Sequence, residues 1–267
     1  MTPEYVHGYS PKEDARLLDQ ASALTELLHC DTRYPSGSLV LEAGCGVGAQ
    51  TVTLASQSPQ AAFVSVDISP VSLEQAQARV QARGLTNVTF LSADISSLPF
   101  VEAHFDHIFV CFVLEHLASP KKALGELRRV LKPKGTLTAI EGDHGSAYFH
   151  PDSEDARRAI HHLVDLQQRA GGDAHIGRRL YPLLVEAGVH DVRVSPRMVY
   201  VDASRPALVD GFIRKTFTAM VEGVGEQVIR AGMMDAETWR KGIRALYRTA
   251  ESDGTFCYTF FKAIGVK

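Results

Sequence analysis

No apolar run in this chain approaches the roughly 20 residues that a bilayer-spanning helix needs, so membrane insertion is not expected. Cysteine is scarce. Cys30, Cys45, Cys111 and Cys257 lie far apart and form no CxxC pair. That spacing argues against a disulfide framework or a zinc site and for reduced, mostly buried thiols. An excess of positive charge is also missing: the formal net charge is −3. Such a chain offers no basic footprint for a phosphate backbone, and nucleic acid is not expected as a partner. The first residues, MTPEYVHGYSPKEDAR, are polar and carry acids, which does not read as a signal peptide; the cytoplasm is the expected compartment. Internal repeats and low-complexity tracts are absent. What remains is a chain of 267 residues, 45% of them hydrophobic, long enough to bury a sizeable core without covalent staples.

From Ser38 to Asp143 short β-branched runs alternate with amphipathic stretches, the pattern of βαβ units and a parallel sheet. Strands are expected at Leu39–Ala43, Ala62–Val66, Val88–Ser92, Asp106–Cys111 and Thr136–Glu141. Helices are expected to start near Gly48, Pro70 and Pro120, the two prolines each preceded by a serine that can act as N-cap. Gly84 fits a helix-terminating position, and Lys132-Pro133-Lys134-Gly135 reads as a turn. Before this region, Lys12 to Cys30 forms a helix with one apolar stripe of Ala15, Leu17, Leu18, Ala21, Leu24, Leu27 and Leu28. After it the rhythm changes to helices over Ser153–Ala170 and Arg178–Ala187, a strand over Val192–Val201, two or three helices between Pro206 and Glu251, and a last strand, Thr255–Val266. The expected organisation is an N-terminal arm and helix (1–35), a Rossmann-like core (36–145), and helical insertions carrying the last two strands (146–267). The insertions could form a lid, a homodimer contact or plain packing. The fold class is therefore α/β, doubly wound, with a mostly parallel seven-stranded sheet.

The densest signal is Leu39-Val-Leu-Glu42-Ala-Gly44-Cys45-Gly46-Val-Gly48, a strand that breaks into glycines before a helix. Glycines there permit a tight turn and close approach of backbone to a ligand. Alone the segment is ambiguous, because Gly44, Gly46 and Ala49 also satisfy the dinucleotide pattern and Asp67 suits a ribose in either case. Glu42 tips the balance: a carboxylate beside the first glycine would repel a pyrophosphate but could order a loop facing a sulfonium. Asp67, Asp94-Ile95 and the run Phe109–His116 each end a strand at the same rim, where open α/β sheets bind ligands. Asp94 is placed to accept from an adenine amino group while Ile95 packs on the ring.

The pieces LEAGCGVG, VDIS, LSADISSLPF, FDHIFVCFVLEHL and LRRVLKPKGTLTAIEGD occur in order and at family spacing. Through them the chain resembles the class I S-adenosylmethionine-dependent methyltransferases that include the ubiquinone and menaquinone C-methyltransferases. The resemblance implies S-adenosyl-L-methionine as cofactor and S-adenosyl-L-homocysteine as product. Gly44, Cys45 and Gly46 would face the methionine moiety, Asp67 with Ile68 the ribose side, and Asp94 with Ile95 the adenine. Cys111 would offer its carbonyl to the cofactor's amino group. Related enzymes fold an N-terminal arm over the cofactor; Tyr9 is the candidate for a place near the methyl group and Arg16 for a pairing with the methionine carboxylate, with packing as the other role open to both.

Methyl transfer needs alignment above all, and a base only where the acceptor sheds a proton. His144 is the first candidate for that base and His116 the second; Glu141, Asp143, Tyr148 and His150 lie nearby in sequence. Each histidine also fits a structural role. No metal is expected, because the acid-rich pattern of magnesium-dependent catechol enzymes is not recognisable. FVLEHL is not the (D/N)PP(Y/F) motif that grips a flipped base. Arg157, Arg158, Arg178, Arg179 and Arg197 could clamp an anionic substrate or simply solvate helix faces. A small-molecule acceptor methylated on O, N or C is the favoured reading. A protein or RNA methyltransferase, a nicotinamide oxidoreductase and a cofactor-binding scaffold are the alternatives.

Overall fold

The structure, a computed structural model, describes residues 11–267. Helix α1 (Pro11–His29) leads into β1 (Leu39–Ala43), α2 (Ala49–Gln57), β2 (Ala62–Asp67), α3 (Pro70–Ala82), β3 (Val88–Ser92), β4 (Phe105–Cys111), α4 (Pro120–Val130) and β5 (Leu131–Gly142). The chain continues through β6 (Tyr148–His150), α5 (Glu154–Arg169), α6 (Leu180–Glu186) and β7 (His190–Val201). Then come α7 (Pro206–Leu208), a π-helical stretch (Val209–Thr218), α8 (Ala219–Gly223), α9 (Gly225–Arg230), α10 (Ala236–Arg248) and β8 (Thr255–Val266).

Local sequence chemistry accounts for several of these boundaries. Ser69 caps α3 by accepting from the Ser72 N–H, with Pro70 at the first helical position. Beyond its C-terminus Gly84 takes φ 66, a conformation that glycine adopts freely. Ser153 caps α5 through the Ala156 N–H, and Asp235 caps α10 through Glu237 and Thr238.

The strands order as β3-β2-β1-β4-β5-β8, parallel from β3 to β5 and antiparallel at β8. β7 pairs β8 along its length, and β6 pairs Thr255–Cys257 of β8. The sheet thus has eight strands, one more than expected; the addition is a three-residue segment too short to show a periodicity. Alternation along each strand sends side chains to two apolar layers. Val40, Phe109 and Ile140 pack with α1, α2, α5 and the helices after β7, whereas Leu41, Ile108 and Leu137 pack with α4 and α6.

Three local expectations are corrected. Lys132–Gly135 does not separate a helix from a strand: β5 already begins at Leu131, and the irregularity is absorbed by a register shift against β4 with Lys134 at φ 65. Ala15 is exposed, so the buried stripe of α1 starts later, at Ala21, Leu24 and Leu28. The region from Pro206 to Glu251 holds more helical pieces than expected, broken around the π-helical stretch. Wide turns of that kind are uncommon and occur often at functional sites.

Candidate functional site

Every strand from β1 to β5 ends at one rim, and the residues singled out in sequence gather there. β1 delivers the glycine loop. Gly44, Gly46 and Gly48 all take positive φ (77, 50 and 77), a conformation costly for any residue with a Cβ. The reasons for glycine differ among them. A Cβ on Gly44 would lie 2.5 Å from Val113 of the β4 loop, and one on Gly48 2.8 Å from the backbone of Ala76 in α3. Among the described residues a Cβ on Gly46 would meet nothing within 4 Å. Gly46 is therefore the position at which the loop backbone lies open.

Asp67 at the end of β2 organises that loop. One oxygen accepts from the Gly46 N–H at 2.8 Å and the other from the Ser69 N–H at 2.9 Å. Each carboxylate oxygen keeps acceptor capacity for a further donor. Ile68 beside it is 54% exposed, an apolar surface set at the rim. Asp94 is exposed and accepts from the Ser96 N–H at 2.7 Å, closing its own turn. Cys111 is buried at the end of β4, where Phe112 turns the chain with φ 57.

Several expected roles change. Glu42 does not face the rim. It is 2% exposed and accepts from Thr51 and Ser65 at 2.7 and 2.6 Å, bracing the loop from beneath. Burial pushes its carboxyl up to about 7 despite those two hydrogen bonds. Ile95 is buried in the layer against α4, so the exposed apolar face beside Asp67 belongs to Ile68. The N–H groups of Gly44 and Cys45 already donate to the Val66 carbonyl at 2.8 and 2.9 Å. The Cys45 thiol is buried, which raises its pKa far above that of a free cysteine. Arg16 is held on α1 by its own neighbours: Nε and Nη2 donate to Glu13 and Nη1 to Gln20. Tyr9 lies outside the described residues.

Beside the glycine loop a cleft of ≈ 490 Å³, open solvent at its mouth included, is walled by α1, the β4 and β5 ends, the π-helical stretch and β8. His116 and His144 both line it, together with Glu115, Phe112, Phe212, Phe217, Tyr258 and Phe260. Burial lowers both histidines, His116 to about 4, so both imidazoles are neutral near pH 7. His144 Nδ1 lies 2.7 Å from Tyr258 Oη. Its Nε2 faces Glu115 at 3.8 Å, and His116 Nε2 faces the other Glu115 oxygen at 3.5 Å. Glu141 is fully buried; Oε1 accepts from the Val113 and Leu114 N–H groups while Oε2 has no hydrogen-bond partner among the described residues. Burial and the neighbouring Glu115 hold its carboxyl well above the usual range.

The remaining candidates leave the site. Asp143 is held in a two-point ion pair by Arg178 at 2.6 and 2.7 Å and caps the following turn through Gly145. Tyr148 and His150 are exposed on β6 and do not line the cleft. The proposed arginine clamp dissolves as well. Arg157 pairs with Asp152, Arg158 with Asp155, Arg178 with Asp143, Arg179 with Asp173 and Arg197 with Asp31. Sequence reasoning missed Tyr258, Phe212 and Phe217 as cleft residues. The only local signal was the alternation of Phe256, Tyr258 and Phe260, which fixes a buried face but not what that face meets.

A glycine loop on β1, an acid ending β2 and a cleft at the β4 and β5 ends define a Rossmann-like ligand-binding protein of the doubly wound class. Residues 41–139 match the methyltransferase domain family. The chain is 39% identical over 102 residues to a demethylmenaquinone methyltransferase of Thermus thermophilus, covering 38% of this chain and 46% of that one. It is 27% identical over 226 residues to a malonyl-[acyl-carrier protein] O-methyltransferase of Herminiimonas arsenicoxydans, covering 83% and 77%. In fold it is similar to phosphoethanolamine N-methyltransferase 2 of Haemonchus contortus, solved with S-adenosylhomocysteine, at TM-score 0.58, 17% identity and coverage of 93% and 53%. The chain spans 54% and 46% of the lengths of two curated relatives that it matches. Residues 41–139 thus carry a methyltransferase domain sequence, similar to that of the class I enzymes. Among the described residues no helix is long and apolar enough to cross a membrane.

Proposed function

We propose that this chain transfers a methyl group from S-adenosyl-L-methionine to a small molecule. The observation that carries the reading is the adjacency of two differently built compartments at one sheet rim. On the β1–β3 side lie an open glycine backbone at Gly46, a carboxylate at Asp67 and an apolar surface at Ile68. That set suits a nucleoside: hydroxyls for Asp67 and a flat ring for Ile68, with Asp94 exposed one strand further on. Across the end of β4 lies the aromatic cleft, roofed by α1 and the π-helical stretch. A roofed cleft favours a small acceptor over a macromolecular one.

When bound, the cofactor supplies an activated methyl group on a sulfonium. The chain's own part is alignment, exclusion of water and the handling of one proton. Cys111 and Phe112 stand between the compartments, so the line from donor to acceptor crosses the end of β4. Leu17, Phe212 and Phe217 give the cleft an apolar wall. His144, neutral because it is buried, can hold the proton of a protic acceptor, and His116 is the second candidate for that role.

Isothermal titration with S-adenosylhomocysteine, beside NADH and repeated on Asp67→Ala, tests the class. Micromolar binding that weakens at least tenfold in Asp67→Ala is the expected result. Saturable NADH binding without S-adenosylhomocysteine binding would refute it in favour of an oxidoreductase.

A further inference from the structure

We infer that Tyr258 is the group that meets the acceptor, and that Tyr258, His144 and Glu115 form a proton relay committing the cleft to an uncharged hydroxyl acceptor on an apolar body. The inference rests on the methyltransferase reading above and adds the acceptor's chemistry to it.

The geometry is specific. Tyr258 stands on β8 and reaches across the end of β5 to His144 Nδ1, 2.7 Å away. Gly142 makes that reach possible: a Cβ there would lie 2.4 Å from the phenol oxygen. The Tyr258 side chain lines the cleft among Phe112, Phe217 and Phe260. Burial raises the phenol well above its ordinary pKa and lowers the imidazole, so a neutral O–H faces a neutral ring at neutral pH. The one protonation pattern that uses both ring nitrogens has the phenol donating to Nδ1 and Nε2–H facing Glu115 Oε2 at 3.8 Å. That separation is too long for a hydrogen bond and close enough for the carboxylate to stabilise an imidazolium once it forms. Gln167 Nε2 holds the same carboxylate oxygen at 3.3 Å.

An acceptor hydroxyl on Tyr258 Oη would pass its proton to the phenol as the phenol passes its own to His144. The acceptor oxygen gains the methyl carbon, the sulfur keeps the electron pair of the broken bond, and the net proton rests on His144 beside Glu115. Charge selects against the other protic classes. An acceptor carboxylate would meet Glu115 and an Arg16 already engaged by Glu13 at 2.6 and 2.8 Å. An ammonium would have to shed its water among Phe112, Phe217 and Phe260 to reach a Glu115 that is 7% exposed and already held by Gln167.

The test uses four probes of one size, 4-ethylphenol, 4-methylbenzylamine, 4-methylbenzoate and ethylbenzene, titrated into the full chain saturated with S-adenosylhomocysteine. The phenol is expected to bind at least tenfold more tightly than the amine and the benzoate. In Tyr258→Phe the phenol is expected to weaken about fivefold, the equivalent of one lost hydrogen bond, with ethylbenzene unchanged. The ¹⁵N shift of His144 Nδ1 is expected to move in the same variant. Preference for the amine or the benzoate, absence of phenol binding, or an unchanged phenol affinity in Tyr258→Phe overturns the inference. The wild-type ranking alone decides if the variant does not fold. Failure of S-adenosylhomocysteine to bind at the first step would instead overturn the methyltransferase reading beneath it.

Discussion

Replacing Glu42 by glutamine isolates the cost of burying a carboxyl under the glycine loop. The side chain is 2% exposed, and its two hydrogen bonds from Thr51 and Ser65 do not offset the loss of water around a charge. Burial carries the carboxyl from an ordinary 4.5 up to about 7. At about 1.4 kcal/mol per pH unit, that difference is worth about 3 kcal/mol of pH-dependent stability. The sign follows from proton binding. Between 4.5 and about 7 the folded chain holds the Glu42 proton while the unfolded chain has released it. Stability is therefore fully present below the lower value and is lost as pH rises through the upper one. Glutamine keeps the shape, can set its carbonyl oxygen where Glu42 Oε2 accepts from both hydroxyls, and does not titrate. Urea denaturation of both proteins at about pH 5 and about pH 8.5 reads the effect as a difference between them, which cancels the other titrating groups. Glu42→Gln is expected to gain about 3 kcal/mol on the wild type between the two conditions. Identical pH dependence in the two proteins would refute the assignment of a protonated, buried Glu42.

The glycine loop and the α1 anchor give two further tests. Gly46→Ala is expected to cost about 1–2 kcal/mol, the strain of a left-handed alanine alone. Gly48→Ala is expected to cost more because its Cβ meets the Ala76 backbone at 2.8 Å; equal losses in denaturation would refute the distinction. Lys262 is fully buried and its Nζ contacts Asp31 and Thr32, both at 2.6 Å, with the Leu28 carbonyl at 3.3 Å. Lys262→Met is expected to cost about 1–3 kcal/mol, because Arg197 still pairs Asp31 while the Leu28 carbonyl loses the ammonium and Thr32 keeps only His29 Nδ1 at 3.5 Å. A more stable variant would show that this buried lysine is net unfavourable.

The glycine-loop side of the rim was legible because its information is local. Gly44, Gly46, Gly48 and Asp67 fall within 24 consecutive residues joined by one βαβ unit. Strand alternation placed β1 to β5, and a serine–proline pair marked the starts of α3 and α4. The misreadings there share one cause, that a strand period does not say which of two faces meets a ligand. Glu42 and Val40 point to the same layer, so Glu42 is directed towards α2 and Ser65 and away from the loop above it. Ile95 likewise turns into the α4 layer while Ile68, with the same side chain, does not.

The acceptor side was not legible because its contacts are made across the topology. His144 and Tyr258 are 114 positions apart, Glu115 and Gln167 are 52 apart, and Arg178 reaches Asp143 from 35 positions away. The antiparallel return of β8 beside β5 produces the first of these pairings, placing Phe260 opposite Gly142. Of the five arginines that looked available in sequence, Arg178 and Arg197 find their acids only across the fold, whereas Arg157, Arg158 and Arg179 pair with the nearby Asp152, Asp155 and Asp173. Beside the alternation of Phe256, Tyr258 and Phe260, Gly142 is consistent with the same contact. A glycine at the end of a buried strand, just before Asp143 and His144, leaves space that some other side chain must fill. The phenol of Tyr258 fills it, so the same missing methyl group that permits the Tyr258–His144 contact makes Gly142→Ala a way to break that contact without changing either ring.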